Sequence, residues 1–276
     1  MPVAAGGLRE KLRRTALLTR SQRACTGLAA GLILQVWVVC AGVLLPATSR
    51  AEAACVDPAA SAHATVAITR HFDAQEQTLE PDLAGVAGTG WFLSPRSMVT
   101  VAHVAEAMHL TAQAWTEIEI RDGDTTQSIP VRLSRLAGEH AEKIAVLELR
   151  TAFPHATVLR IGDDPLVADE RVMSVAYPGE HLRVAEGRFV EYGANSPFAG
   201  TALLELYDGN DRLALDHGAS GAPVLDCEGR VVAVVSNVLT QTMQFPSRVI
   251  RISTAWNTPN VVSVPIQALK DFTPAE

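Results

Sequence analysis

The sequence predicts an all-β fold of the barrel or sandwich class, preceded by an apolar N-terminal segment. Three observations carry the prediction: about a dozen short, apolar, β-branched runs, turn residues between most of them, and few helical patterns. In order, the runs are Ala64–Thr69, Gly90–Leu93, Met98–Val101, Ile118–Ile120, Ile129–Leu133, Ile144–Leu149, Arg171–Ala176, Leu182–Tyr192, Ala202–Tyr207, Ala222–Leu225, Arg230–Asn237 and Val249–Ile252. Asp122-Gly123-Asp124, Gly162-Asp163-Asp164, Pro178-Gly179, Asp208-Gly209-Asn210 and Glu228-Gly229 separate them as turns. A short helix is expected after His103 and another over Pro265 to Phe272. No internal repeat or low-complexity linker follows the leader, and the remaining ~220 residues suffice for one large β domain or two small ones sharing a core.

Arg9, Lys11, Arg13, Arg14, Arg20 and Arg23 precede an uncharged stretch from Ala24 to Ser49, the layout of an export signal. Its apolar core runs from Gly27 to Leu45. Ala51-Glu52-Ala53 is a small-x-small cleavage site, which would leave a mature chain beginning near Ala54. The alternative is an uncleaved anchor over residues 24–45, since about 20 apolar residues can span a bilayer. Arg13-Arg14 loosely resembles a twin-arginine signal. Glu52 stands three before Cys55, where a lipidation signal wants an aliphatic residue, so Cys55 is not read as lipidated. The expectation is an exported chain, periplasmic or secreted, or held at the membrane only by its N-terminal segment.

The whole-chain charge of −7 hides an asymmetry. Residues 1–53 hold seven basic and two acidic residues, so the remainder has 16 basic against 28 acidic residues, a net −12. Such an acidic domain is a poor fit for nucleic acid or for an anionic membrane surface. Cys25 and Cys40 lie in the leader, leaving Cys55 and Cys227. In an oxidising compartment these two suggest one disulfide closing a very long loop, worth ~3–5 kcal/mol by chain entropy; the alternative is two unpaired buried thiols. No Cys/His cluster argues for a metal, and no cofactor is expected.

Two segments carry chemistry: Thr100-Val101-Ala102-His103-Val104, and Gly218-Ala219-Ser220-Gly221-Ala222-Pro223. A serine hydroxyl is a weak nucleophile unless an imidazole takes its proton, and the resulting oxyanion needs preorganised donors. Glycines flanking Ser220 let the backbone aim successive N–H groups into one hollow, with the N–H groups of Gly218 and Ser220 as the expected donors. Either segment alone is also compatible with a turn or a packed histidine.

Together with Gly88-Thr89-Gly90-Trp91-Phe92-Leu93, Lys143-Ile144-Ala145-Val146-Leu147-Glu148-Leu149 and Ala176-Tyr177-Pro178-Gly179, these segments resemble the chymotrypsin-like serine peptidases. Their order and spacing are similar to the bacterial trypsin-like branch that includes the Deg/HtrA proteases and the glutamyl endopeptidases. The resemblance covers about residues 64–272 and includes no PDZ domain. It implies two perpendicular six-stranded β-barrels with the active site between them, the first at about residues 60–155 and the second at about 170–265. His103 would lie in the first and Ser220 in the second. Ala219 before Ser220, in place of an aspartate, leaves no partner for zymogen activation by N-terminal insertion.

The resemblance also places an aspartate immediately before the Ile-Ala-Val-Leu strand, to hold the histidine's second nitrogen. Lys143 occupies that position. Glu142 would serve if a register irregularity brought it to His103, since neighbours on a regular strand face opposite sides. Glu139 from the preceding loop, or a weakened His103–Ser220 dyad, are the other arrangements; a cation beside His103 would depress its pKa. By the same resemblance, Ala214 and His217 border the specificity pocket, and Ser236, Asn237 and Val238 form the strand beside which a peptide could pair. Ala214 favours a small or apolar residue before the cleaved bond; His217 could instead favour an acidic one. Two functions follow: a serine endopeptidase acting through His103, Ser220 and Glu142, or a catalytically silent relative that binds peptides or partner proteins in the same cleft.

Overall fold

The computed structural model describes residues 57–79, 84–154, 156–239 and 259–270, together with the strand backbone of 241–245 and 248–252. The expected signal or anchor, residues 1–53, and Cys55 lie outside the described residues. Among the described residues no helix is long and apolar enough to cross a membrane.

Six antiparallel strands, β1 (Thr65–His71), β2 (Gly85–Ser94), β3 (Ser97–Val101), β4 (Thr116–Asp122), β5 (Thr125–Ala137) and β6 (Ile144–Leu149), close a barrel in the order β1-β2-β3-β6-β5-β4. β4 alternates: Ile118 and Ile120 are buried while Glu117 and Glu119 face solvent. β3 is buried along its whole length, Ser97 and Thr100 included, and β6 at every residue but Glu148, because both of their faces are covered. Their pairing sets Val99 against Val146 and Val101 against Ile144. Each such side chain contributes about 1.5–3 kcal/mol when fully buried.

A second closed barrel contains β7 (Arg171–Ala176), β8 (Arg183–Tyr192), β9 (Ala202–Tyr207), β10 (Pro223–Leu225), β11 (Val231–Val238) and β14 (Val261–Pro265), in the order β10-β11-β14-β9-β8-β7. Between the barrels the chain makes two parallel bridges, Phe92 with Val158 and Ile161 with Val231, tying the crossover to both.

Two details differ from the sequence reading. Val249–Ile252 is a strand, β13 (Arg248–Ile252), but it pairs with β12 (Gln241–Phe245) in a separate two-stranded sheet, and β14 closes the barrel instead. The helix expected from Pro265 is, over the described residues, a 3₁₀ turn at Ile266–Leu269, because Pro265 still belongs to β14. Ile266 and Leu269 are both buried, and three-residue spacing stacks them on one side of such a turn. Three short helices also occur: α1 (Pro58–Ala62), capped by Asp57, whose carboxylate accepts the Ala59 N–H at 2.9 Å; α2 (Ala74–Leu79); and α3 (Ala102–Ala107). His103 lies inside α3 rather than before it.

Asn260 anchors the closing strand. It is buried, its side chain accepts the Leu206 N–H at 2.9 Å and donates to the Leu206 carbonyl at 2.8 Å, and its own N–H donates to Leu204 at 2.9 Å. The amide therefore acts as one more peptide group in the ladder between β14 and β9. Asn260→Leu would strand a buried donor and a buried acceptor, and denaturant unfolding should show a loss of at least ~2 kcal/mol; an unchanged midpoint would contradict this role.

Candidate active site

β3 ends at Val101, and the chain turns directly into α3, which places His103 on the first turn. The Ala102 N–H donates to the Lys143 carbonyl at 2.9 Å, holding this junction against the bend that precedes β6. β6 begins only at Ile144, so Glu142 and Lys143 lie in irregular backbone where strand alternation does not apply. Gly138, with φ of +125°, opens that loop, and a Cβ there would sit 3.3 Å from the Glu142 carbonyl.

The consequence is that Glu142 reaches the histidine. Its Oε2 lies 3.9 Å from His103 Nδ1, an ion-pair distance longer than a hydrogen bond. The Ser236 hydroxyl donates to the same oxygen. Burial lowers the His103 pKa below its ordinary value of 6.5, against upward pulls from Glu142 and, second, Glu106 one turn along α3. Lys143 is not among the groups acting on His103, so the cation beside the histidine that the sequence suggested is not what depresses it. Glu139 is exposed and is likewise absent from that set.

Ser220 follows the end of the Leu213–Ala219 loop and precedes β10. Its hydroxyl donates to the Ser236 carbonyl at 3.0 Å, and among the described residues no hydrogen bond joins it to His103. Ser236 stands where the β11–β14 register shifts, a bulge that turns a single residue out of the ladder toward the cleft. It is buried and contributes its hydroxyl to Glu142 and its carbonyl to Ser220. Asn237 and His217 are exposed, each with its neighbourhood closed by a local bond: Asn237 Oδ1 accepts the Val238 N–H at 2.8 Å, and Asp216 accepts the His217 N–H at 2.6 Å. Ala214 and Val238 pack against the second barrel's core, which includes Ala219 and Val261.

The backbone around Ser220 alternates between used and free donors. The N–H of Ala219 goes to Asp216 at 2.9 Å and that of Gly221 to Val235 at 2.8 Å. Among the described residues, the N–H groups of Gly218 and Ser220 between them have no acceptor. Gly218 adopts φ of +95°, a conformation that favours glycine, and a Cβ there would meet the Tyr177 carbonyl at 2.9 Å. Gly221, at φ of +97°, approaches the first barrel so closely that a Cβ would lie 2.0 Å from the Thr89 carbonyl. Thr89, Thr100 and Glu106 also belong to this environment: Thr89 and Thr100 lie in the two first-barrel segments Gly88–Leu93 and Thr100–Val104, whereas nothing in the local sequence marks Glu106.

No curated protein matches the chain. Solved structures do. The Rv3671c protease from M. tuberculosis in its active form is 16% identical with a TM-score of 0.51, over 77% of this chain and 80% of that chain, which shows the shared fold. The inactive form of the same protease (17% identical, TM-score 0.49, 77% of this chain and 88% of that chain) and Deg5 (15% identical, TM-score 0.47, 75% and 86%) also match. A family model described as a trypsin-like peptidase domain matches residues 88–234, more than half of the chain, from within β2 to within β11. The chain belongs to the trypsin-like peptidase domain family.

Proposed function

We propose that this protein is a serine endopeptidase that cleaves peptide or protein substrates through Ser220, His103 and Glu142. The observation that carries the reading is the pair of N–H groups, Gly218 and Ser220, that have no acceptor among the described residues, set at a serine within the same cleft as an imidazole–carboxylate pair. A peptide-binding relative has no need of a preorganised anion hollow beside a serine.

In the proposed reaction the Ser220 hydroxyl turns from the Ser236 carbonyl to His103 Nε2. That nitrogen takes the proton as Oγ bonds to the substrate carbonyl carbon, and the electron pair moves onto the carbonyl oxygen. The N–H groups of Gly218 and Ser220 bind the oxyanion. Glu142 stabilises the imidazolium through Nδ1, closing from 3.9 Å as the cleft fills. Collapse of the intermediate expels the amine, which receives the proton from His103. Water, deprotonated by the same imidazole, then hydrolyses the acyl-enzyme. The apolar setting of Ala214 and Val238 favours a small aliphatic residue before the cleaved bond over the acidic residue that exposed His217 would suit.

One observation favours the second reading, a silent relative that binds peptides: the Ser220 hydroxyl is bonded to Ser236, not to His103. A fluorophosphonate probe separates the two. The peptidase reading expects labelling of the wild type, lost in Ser220→Ala and His103→Ala, and slowed about 10²–10⁴-fold in Glu142→Gln. Folded wild-type protein that resists the probe would favour the silent relative, and a Glu142→Gln variant reacting at the wild-type rate would remove Glu142 from the mechanism.

The lowered pKa of His103 fixes two pH dependences. Neutral imidazole persists below pH 6.5, so the acid limb of probe labelling should have its midpoint below 6.5. For stability, the unfolded chain takes up the proton first as pH falls from 6.5 toward the folded pKa, so the unfolded state binds more protons and stability drops through that window. His103→Gln should flatten this slope in denaturation curves at pH 5 to 7; identical slopes would contradict the assignment.

We also propose that residues 1–53 direct export and that Cys55 bridges Cys227. Cell fractionation should find the chain outside the cytoplasm, and thiol titration of denatured, unreduced mature protein should detect no free cysteine; two reactive thiols would sink the bridge.

A further inference from the structure

Thr89 lies in β2 of the first barrel, fully buried, yet most of its hydrogen bonds cross to the second barrel. Its N–H donates to the Ser220 carbonyl at 2.9 Å. Its hydroxyl donates to the Gly218 carbonyl at 2.6 Å and accepts the Tyr177 N–H at 3.1 Å. Its own carbonyl accepts the Thr100 hydroxyl at 2.9 Å, the same carbonyl that Gly221 approaches.

These bonds act on peptide planes. A peptide's N–H and C=O point in opposite directions, so fixing a carbonyl outward aims the following N–H inward. The His217 carbonyl is held by the Gly179 N–H at 3.1 Å, which aims the Gly218 N–H into the hollow. The next carbonyl, that of Gly218, accepts the Thr89 hydroxyl, and the N–H of its plane, that of Ala219, donates to Asp216; the following plane, which carries the Ser220 N–H, is held through the Ala219 carbonyl by the Ala222 N–H at 3.0 Å. Glycine at 218 leaves both planes easy to rotate, and rotation of either would remove a donor from the hollow or put a carbonyl into it. Tyr177 is itself buried, so the turn it begins is packed in place. The hydroxyl of Thr89 is thus the link through which the Tyr177–Gly179 turn and the Gly218–Ser220 loop share one geometry.

We infer that the Thr89 side chain is a positioning residue for the anion hollow: by holding the Gly218 carbonyl outward it keeps that oxygen from turning in between the Gly218 and Ser220 donors, without touching the substrate. Its catalytic consequence rests on the peptidase reading; its structural consequence does not. A valine fills the same space with no hydroxyl, and a serine keeps the hydroxyl. Thr89→Val should raise hydrogen exchange in peptides spanning 216–222 and slow fluorophosphonate labelling about tenfold, near 1.4 kcal/mol in the barrier, with KM for a peptide substrate changed less than about twofold. Thr89→Ser should restore both. If Thr89→Val does not fold, Thr89→Ala against Thr89→Ser isolates the hydroxyl in the same assays. Wild-type exchange in 216–222 of the hydroxyl-less variant, beside a wild type that labels, would overturn the inference while leaving the peptidase reading intact. Exchange raised in 216–222 beside a wild type that never labels would uphold the positioning and defeat the peptidase reading.

Discussion

Gly221 comes so close to the Thr89 carbonyl that any side chain at 221 would displace one barrel from the other. That approach, with the Thr89 N–H on the Ser220 carbonyl and the Thr100 hydroxyl on the Thr89 carbonyl, is where the two barrels are joined at the cleft. The Ser220 loop belongs to the second barrel by sequence, but it is held from the first through Thr89. Thr100 lies on the adjacent strand β3 and His103 three residues later in α3, so the seam that holds Ser220 also fixes the element bearing His103. The placement of His103 relative to Ser220 therefore depends on this buried seam.

Glu142 reaches the cleft by a different route. A strand would have turned Glu142 and Lys143 to opposite faces, and the residue at the expected position would have been a cation. The chain avoids this by delaying β6 until Ile144 and entering it through a bend opened by Gly138. Glu142 then lies against both His103 and the bulged Ser236. Two irregularities on different barrels, a delayed strand and a bulge, bring together three side chains that regular strands would have separated. Burial lowers the His103 pKa, which suits the proposed general base, and the carboxylate limits how far it falls.

Much of the fold was legible because β-branched runs and Gly/Asp turns mark strands locally; β6, β7 and β9 have the bounds that the sequence suggested. Which strand closes the second barrel was not legible. Val249–Ile252 and Val261–Val264 are equally apolar, and only pairing with β11 and β9, together with the buried Asn260 amide, selects the latter. At the site, His103, Ser220 and the glycines stand out by residue type and spacing. Thr89 does not, because its importance lies in a hydroxyl reaching residues about 130 positions away, a relation that no local pattern encodes. Glu142 was visible as a candidate only through the displaced acid, and its reach depends on where β6 begins.

The most direct measurement is an NMR titration of the His103 ring in Ser220→Ala protein, with and without Glu142→Gln. The pairing predicts a His103 pKa below 6.5 when Glu142 is present and a lower one still when its charge is removed, because the carboxylate stabilises the imidazolium. An unchanged or raised pKa in the Glu142→Gln protein would contradict Glu142 as the partner of His103.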